Sequence, residues 1–405
     1  MNNYFSNEKI NTGRQLEVDV LKAICIIGMV TIHVFDDCID NGDNSFEFLQ
    51  NVLGMIIGAA GFMLCMGIGM RYTRNQSPQA YLTRGIAILT VGQLLNILRN
   101  ALPNLIAYWI TQDQWFVANS FLVFQADILS FAGLAFILMA VMRKFKLSNR
   151  AILCIAIAMN LISWLVHYKV TMPENYIVNQ ILGYFVITRA ESYFPLFSYF
   201  VFVAAGFTIG TLLPYIKDKQ KLYTRIIVIC VPLCTVYYLF RMNYNVSFMP
   251  VYISDENYSL YPGPDAIVSV LTSVAAMACF YMLSHRAGDR IPRWVAHMSE
   301  NINSYYCISY MFILPVQTLL MAVNGHLLTT DSVGTIYTIL VLVACWLIIE
   351  FNKKYIHFSP TALLTKKTVG PVMMVSIWVI SFAIAIYAYP RIDEFVNIWN
   401  DYLLP

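Results

Sequence analysis

Apolar runs of about 20 residues recur along this chain from end to end, and that is the length an α-helix needs to cross a bilayer. Eleven such runs lie near 20–35, 48–70, 85–98, 117–142, 151–168, 194–214, 223–240, 265–284, 302–323, 333–351 and 369–389. The stretch at 176–188 is too short and interrupted to span, and reads as a re-entrant or interfacial piece of a loop. Composition agrees. Of 405 residues, 59% are hydrophobic and 12% charged, and the mean hydropathy is +0.61. A soluble domain carries about 25% charged residues, and a chain this apolar lacks the polar surface to cover itself. The expected fold is therefore all-α, a polytopic integral membrane helical bundle of about eleven spans. No repeat, linker or second composition zone divides it. One membrane domain is expected at 15–390, between a polar tail at 1–14 and another at 391–405. No cleavable signal peptide is expected at the N-terminus. The nine cysteines mostly lie inside apolar runs and form no Cys-x-x-Cys pair, so they read as small buried hydrophobes.

Charge predicts the orientation. With a cytoplasmic N-terminus, twenty of the 26 Lys and Arg residues fall in inner segments, and five (Arg99, Lys169, Arg189, Arg241, Arg391) fall in outer ones. Lys22 sits in the first helix. Positively charged loops stay on the cytoplasmic side, so the net charge of +3 is a topology signal and does not point to nucleic acid. The C-terminus is expected outside, in a membrane of bacterial inner-membrane type.

The first helix, "DVLKAICIIGMVTIHVFDD" at 19–37, is the least ordinary. Lys22 and His33 are eleven residues apart, close to three turns, so they share a face about 16 Å apart along the axis. Asp19 lies near that face, and Asp36 and Asp37 follow His33 at i+3 and i+4, where a carboxylate orients or charges an imidazole. Either basic residue alone has an ordinary reading: lysines at helix ends snorkel, and a membrane histidine can simply bond a neighbouring helix. Ionisable groups at depth are costly and usually functional, however. Asn96, Asp127, and Glu191 with Ser192 are further polar candidates within or at the edge of apolar runs. No Walker loop, HExxH motif or clustered metal ligand is present. The "GIG" at 67–69 reads as close helix packing.

Asp19-Val20-Leu21-Lys22, ten residues and His33 resemble the opening helix of the acyltransferase-3 superfamily, Asp-x-Leu-Arg followed by ten residues and His. The chain is still more similar to the related heparan-α-glucosaminide N-acetyltransferase branch. "GFMLCMGIGMRYTRNQSPQAYLTRGIAILTVGQLLNILR" (61–99), "DILSFAGLAF" (127–136), "SYFPLFSYFVFVAAGFTIG" (192–210) and "SENINSYYCISY" (299–310) resemble its later segments in order. Two positions depart. Lys22 replaces the usual Arg, leaving a point charge without bidentate grip. Ser309 stands where many acyltransferase-3 members carry a second His.

The resemblance implies an acyltransferase that takes an acetyl or other acyl group from cytoplasmic acyl-CoA, a co-substrate and not a resident cofactor. The group passes to an amine or hydroxyl of a saccharide or glycan acceptor at the outer side. CoA phosphates would need Lys22, Arg71, Arg74 and Arg84. His33 would act as general base or carry the acyl group itself, helped by Asp36 or Asp37, with Asp19 on the same stripe. Asn96, Asp127, Glu191 and Ser192 would line the acceptor cavity. The expected partners are the bilayer, acyl-CoA, the acceptor and a second copy in a homodimer; no metal is expected. The rivals are a proton-coupled transporter or flippase using His33, Asp127 and Glu191, or a catalytically degenerate sensor. No inverted repeat or matched pair of broken helices favours the transporter.

Overall fold

Several helix starts are set by single side chains. Ser77 caps the helix opened by Pro78, its hydroxyl accepting from the Ala80 amide at 3.2 Å. Asp127 caps another, its Oδ1 accepting from the amides of Leu129 and Ser130, both at 3.0 Å. In the computed structural model of the protein, the described residues are 4–39, 58–169, 176–186, 193–244, 263–288, 290–328 and 330–392. Their helices are α1 (Leu16–Cys38), α2 (Ala59–Tyr72), α3 (Pro78–Asn96), α4 (Leu102–Thr111), α5 (Gln114–Asn119), α6 (Ile128–Lys144), α7 (Asn149–Lys169) and α8 (Tyr176–Gly183). Then follow α9 (Leu196–Leu212), α10 (Lys219–Tyr244), α11 (Gly263–Arg286), α12 (Arg293–Glu300), α13 (Ile302–Asn324), α14 (Asp331–Phe351), α15 (Pro360–Leu364) and α16 (Gly370–Ala388). Among the described residues no strand forms; Phe5–Ile216 and Ile39–Leu328 are isolated bridges.

The fold is the polytopic helical membrane bundle that the sequence predicts. Among the described residues, nine helical stretches are long and apolar enough to cross a membrane. Each of the eleven apolar runs holds a helix over most of its described residues, but α2 has 14 described residues and α6 has 17. The first part of the run at 48–70 lies outside the described residues. The short α8 occupies the stretch read as unable to span.

Glycines allow the closest helix crossings. A Cβ on Gly206 of α9 would fall 2.0 Å from the Leu64 carbonyl oxygen of α2, and one on Gly67 would fall 2.1 Å from that of Val203. Gly85 and Gly133 bring α3 against α6 in the same way. Gly69, grouped with Gly67 in the sequence reading, has open space beside it. The helix α1 is central, packed against α2, α11, α12, α13 and α14.

Two runs depart from the expected spans. The third run extends well past 85–98: α3 continues through a π-helical turn at Ile97–Ala101 into α4, an unbroken helix over Pro78–Thr111. The fourth, 117–142, breaks between a 3₁₀ turn at Ser120–Phe124 and the start of α6. Backbone that leaves a helix at membrane depth needs other hydrogen-bond partners, and side chains of α3, of the π turn that follows it and of the α8 region supply most of them. Gln93 donates to the Val123 carbonyl at 2.7 Å, Asn96 to that of Gln125 at 2.9 Å, and Asn100 to that of Leu122 at 3.4 Å. The Phe124 carbonyl accepts from Gln180 and Tyr184, each at 2.7 Å, and that of Ala126 from the Tyr193 amide at 3.1 Å. Every carbonyl from 122 to 126 is thus satisfied.

At the end of the bundle where α1 begins, the N-terminal segment clasps the connection between α9 and α10. Ser6 donates to the Tyr215 carbonyl at 2.7 Å, and the Lys217 amide donates to that of Tyr4 at 2.8 Å. Lys219 reaches back to the buried Glu17 at 2.8 Å. Of the expected C-terminal tail, all but Arg391 and Ile392 lies outside the described residues.

Candidate active site

His33 sits near the far end of α1. Its Nδ1 lies 3.5 Å from Oδ2 of Asp37, the i+4 partner on the same helix. Asp36, at i+3, is exposed. The imidazole packs on the ring of Tyr310 from α13, centroids 4.8 Å apart and planes tilted by 51°. The His33 side chain stays 33% exposed.

Behind Tyr310 lies a buried polar cluster. Arg99, 2% exposed, stands over the Tyr310 ring with Cζ 4.6 Å from the centroid, a cation–π geometry. Its Nη2 is 2.8 Å from Oδ2 of Asp127, its Nη1 donates to the Tyr306 hydroxyl at 3.3 Å, and its Nε donates to Oδ1 of Asn96 at 3.1 Å. Tyr306 in turn donates to Asp127 Oδ2 at 3.0 Å. The Asp127 carboxylate therefore meets two backbone amides, a phenol and a guanidinium. A charge this deep in an apolar bundle persists only when so paired. The sequence reading placed Arg99 in an outer loop; it lies inside the helical stretch, because Asp127 neutralises it and the π turn joins α3 to α4 without a break.

The remaining candidates separate. Lys22 is half-buried on α1, and among the described residues no carboxylate or hydrogen-bond acceptor meets its ammonium. Asp19 is not brought to His33, which lies about 21 Å farther along the helix. It accepts instead from Arg14 and from the Ser299 hydroxyl, while Arg14 also pairs with Glu300 at 2.6 Å. Arg71 bonds Gln76, Arg74 is exposed, and Arg84 lies over the Phe136 ring at 5.0 Å. Arg84 also lines a cavity of about 590 Å³ between α3, the start of α13 and α15, whose other walls include Asn75, Ser77, Asn303, Thr361 and Thr365. Lys22, Arg71 and Arg74 do not line it. Asn96 is buried and taken up by Arg99 and Gln125. Glu191 and Ser192 lie outside the described residues. Ser309 turns back on its own helix, donating to the Tyr306 carbonyl at 3.0 Å. Among the described residues no three His, Cys, Asp or Glu side chains gather as metal ligands.

Several structural players escape the sequence reading. Glu17 is buried against Lys219 and the Tyr223 hydroxyl, the latter at 2.9 Å. His297 of α12 bridges the Tyr305 hydroxyl and Glu350, both at 2.9 Å, and burial lowers its pKa. Tyr306, Tyr310 and Gln125 complete the cluster around Arg99. One signal was available: Asn96, Asn100 and Asn104 recur every four residues around Arg99, a polar stripe inside an apolar run.

The chain thus folds as a helical membrane bundle whose first helix carries His33 beside Asp37. The acyltransferase-3 family, described as an acyltransferase domain, matches residues 15–350, and the chain belongs to that family. Comparison with curated proteins and with solved structures gives no match.

Proposed function

We propose that the protein transfers an acyl group from acyl-CoA, taken from the side where α1 begins, to an amine or hydroxyl of a saccharide-type acceptor presented near His33. The observation that carries this reading is one helix face with a cation at Lys22 that has no partner among the described residues and a carboxylate-paired imidazole at His33. Their separation of about 16 Å along α1 suits a donor whose charged nucleotide stays at one end while its pantetheine arm extends toward the imidazole. With Asp37 at Nδ1, the other ring nitrogen of His33 takes the acceptor's proton, or the imidazole carries the acyl group. Arg84 and the polar cavity beside it offer the CoA phosphates a second cation. In this scheme the N-terminus is cytoplasmic.

The transporter reading loses support from the same geometry. Asp127, one of the three residues of its proton path, is held as the partner of Arg99.

The test combines binding and turnover on the purified protein. His33→Gln should abolish acyl transfer and leave acetyl-CoA affinity unchanged, since the loss falls on the chemical step. Lys22→Gln and Arg84→Gln should each weaken acetyl-CoA binding by about tenfold, the worth of one charge-assisted contact. Near-normal turnover in His33→Gln would overturn the reading.

A further inference from the structure

At the His33 end of the cluster, two rings in contact, 4.8 Å apart between centroids, each carry a polar atom that makes no hydrogen bond among the described residues. One is Nε2 of His33: Nδ1 faces Asp37, and among the described residues Nε2 makes no hydrogen bond. The other is the hydroxyl of Tyr310, a residue only 8% exposed, which likewise donates to nothing described. Buried phenols normally find an acceptor. Its neighbour one turn back, Tyr306, does so by donating to Asp127. The indoles of Trp115 and Trp164 are fully enclosed without a partner among the described residues, and the Tyr310 hydroxyl is not sealed in that way. The ring itself contacts both the His33 imidazole and the Arg99 guanidinium.

We propose that the Tyr310 hydroxyl is the hydrogen-bond donor to the thioester carbonyl oxygen during transfer at His33, with Arg99 as the residue that positions its ring. The proposal rests on the acyltransferase reading above. In the step, the acceptor's nitrogen or oxygen bonds to the carbonyl carbon and gives its proton to Nε2 of His33. The carbonyl π electrons move onto oxygen, which accepts a hydrogen bond from Tyr310. As the carbonyl re-forms, the carbon–sulfur bond breaks and the CoA sulfur leaves with the proton from the imidazolium. Tyr310 keeps its own proton throughout. A donor already aimed where negative charge develops is the most effective single aid to acyl transfer.

Tyr310→Phe deletes the hydroxyl and keeps the ring against His33 and Arg99. With acetyl-CoA as donor and glucosamine as acceptor, release of CoA thiol should fall in kcat by about 100- to 1,000-fold, the loss seen when one such donor is removed. The acetyl-CoA Kd should stay within about twofold, and the pH at which turnover rises should stay put, because the base is untouched. Arg99→Lys, which retains the charge and loses the planar group over the ring, should lower kcat less than Tyr310→Phe. If the wild-type protein turns over and Tyr310→Phe keeps kcat within about threefold of it, the donor role is wrong while the acyltransferase reading stands. If the wild type releases no thiol, the acyltransferase reading falls and the proposal with it. Should Tyr310→Phe fail to accumulate, 3-fluorotyrosine at 310 keeps the shape and strengthens the donor. It should raise kcat at unchanged Kd, and an unchanged kcat overturns the proposal.

Discussion

Asp36 and Asp37 differ by one position and have very different surroundings. Asp37 reaches Nδ1 of His33 at 3.5 Å, whereas Asp36 is exposed on the next face of the helix. If the imidazole works as a base at Nε2, Asp37 fixes the tautomer and stabilises the imidazolium. Asp37→Asn should then lower turnover at least about tenfold more than Asp36→Asn, at equal acetyl-CoA affinity. Turnover assays on the two variants in parallel check this, and equal losses would remove Asp37 from that role. Arg99 gives a stability prediction of another kind. Arg99→Met leaves the Asp127 carboxylate buried without its cation, and breaking a buried pair from one side costs about 3–5 kcal/mol. Unfolding of the detergent-solubilised protein by SDS titration should show that loss. The i+4 acid beside His33 was legible in the sequence because helix spacing is local. The burial of Arg99 was not. The rule that charges mark loops assigned it to one, and its partners lie 28 positions away at Asp127 and 207 away at Tyr306.

At the scale of elements, the spans were legible because an apolar run of membrane length has one economical solution, a helix. The break within the run at 117–142 was hidden for the same reason. The polar residues that mark it, Gln125 and Asp127, are flanked on both sides by apolar ones, and the side chains that make it tolerable come from α3 and α8. The glycine reading was half legible. Gly67 is a close contact and Gly69 is not, since a sequence lists glycines but not which helix faces them. The contrast is testable. Gly206→Ala would press a methyl into the Leu64 backbone and should destabilise by about 1–3 kcal/mol, as overpacking does. Gly69→Ala, with open space, should be neutral or stabilise by up to about 1 kcal/mol by restricting the unfolded chain. Thermal unfolding in detergent separates the two, and equal shifts would contradict the packing.

For the whole molecule, the segments that the charge rule places on one side do meet in space. Arg14 pairs with Glu300, Lys219 with Glu17, and Lys217 with the backbone of the N-terminal segment. The assignment of that side to the cytoplasm has a direct test. In a chain with the exposed Cys154 replaced by Ser, Lys221→Cys should resist an impermeant maleimide added to intact cells. Gln112→Cys, after α4, should be labelled. The reverse pattern would invert the bundle.

The carbonyl of Phe124 has a consequence for the order in which the chain is made. Its two hydrogen-bond donors, Gln180 and Tyr184, follow it by 56 and 60 residues. When the ribosome has just delivered the fourth apolar run, those donors do not yet exist, and the break at 124–127 cannot settle among lipid tails with a bare carbonyl. That segment must wait beside water, headgroups or an insertion partner until α8 emerges. The backbone of this break therefore gains its full set of hydrogen bonds only once α8 has been synthesised, after the fifth run.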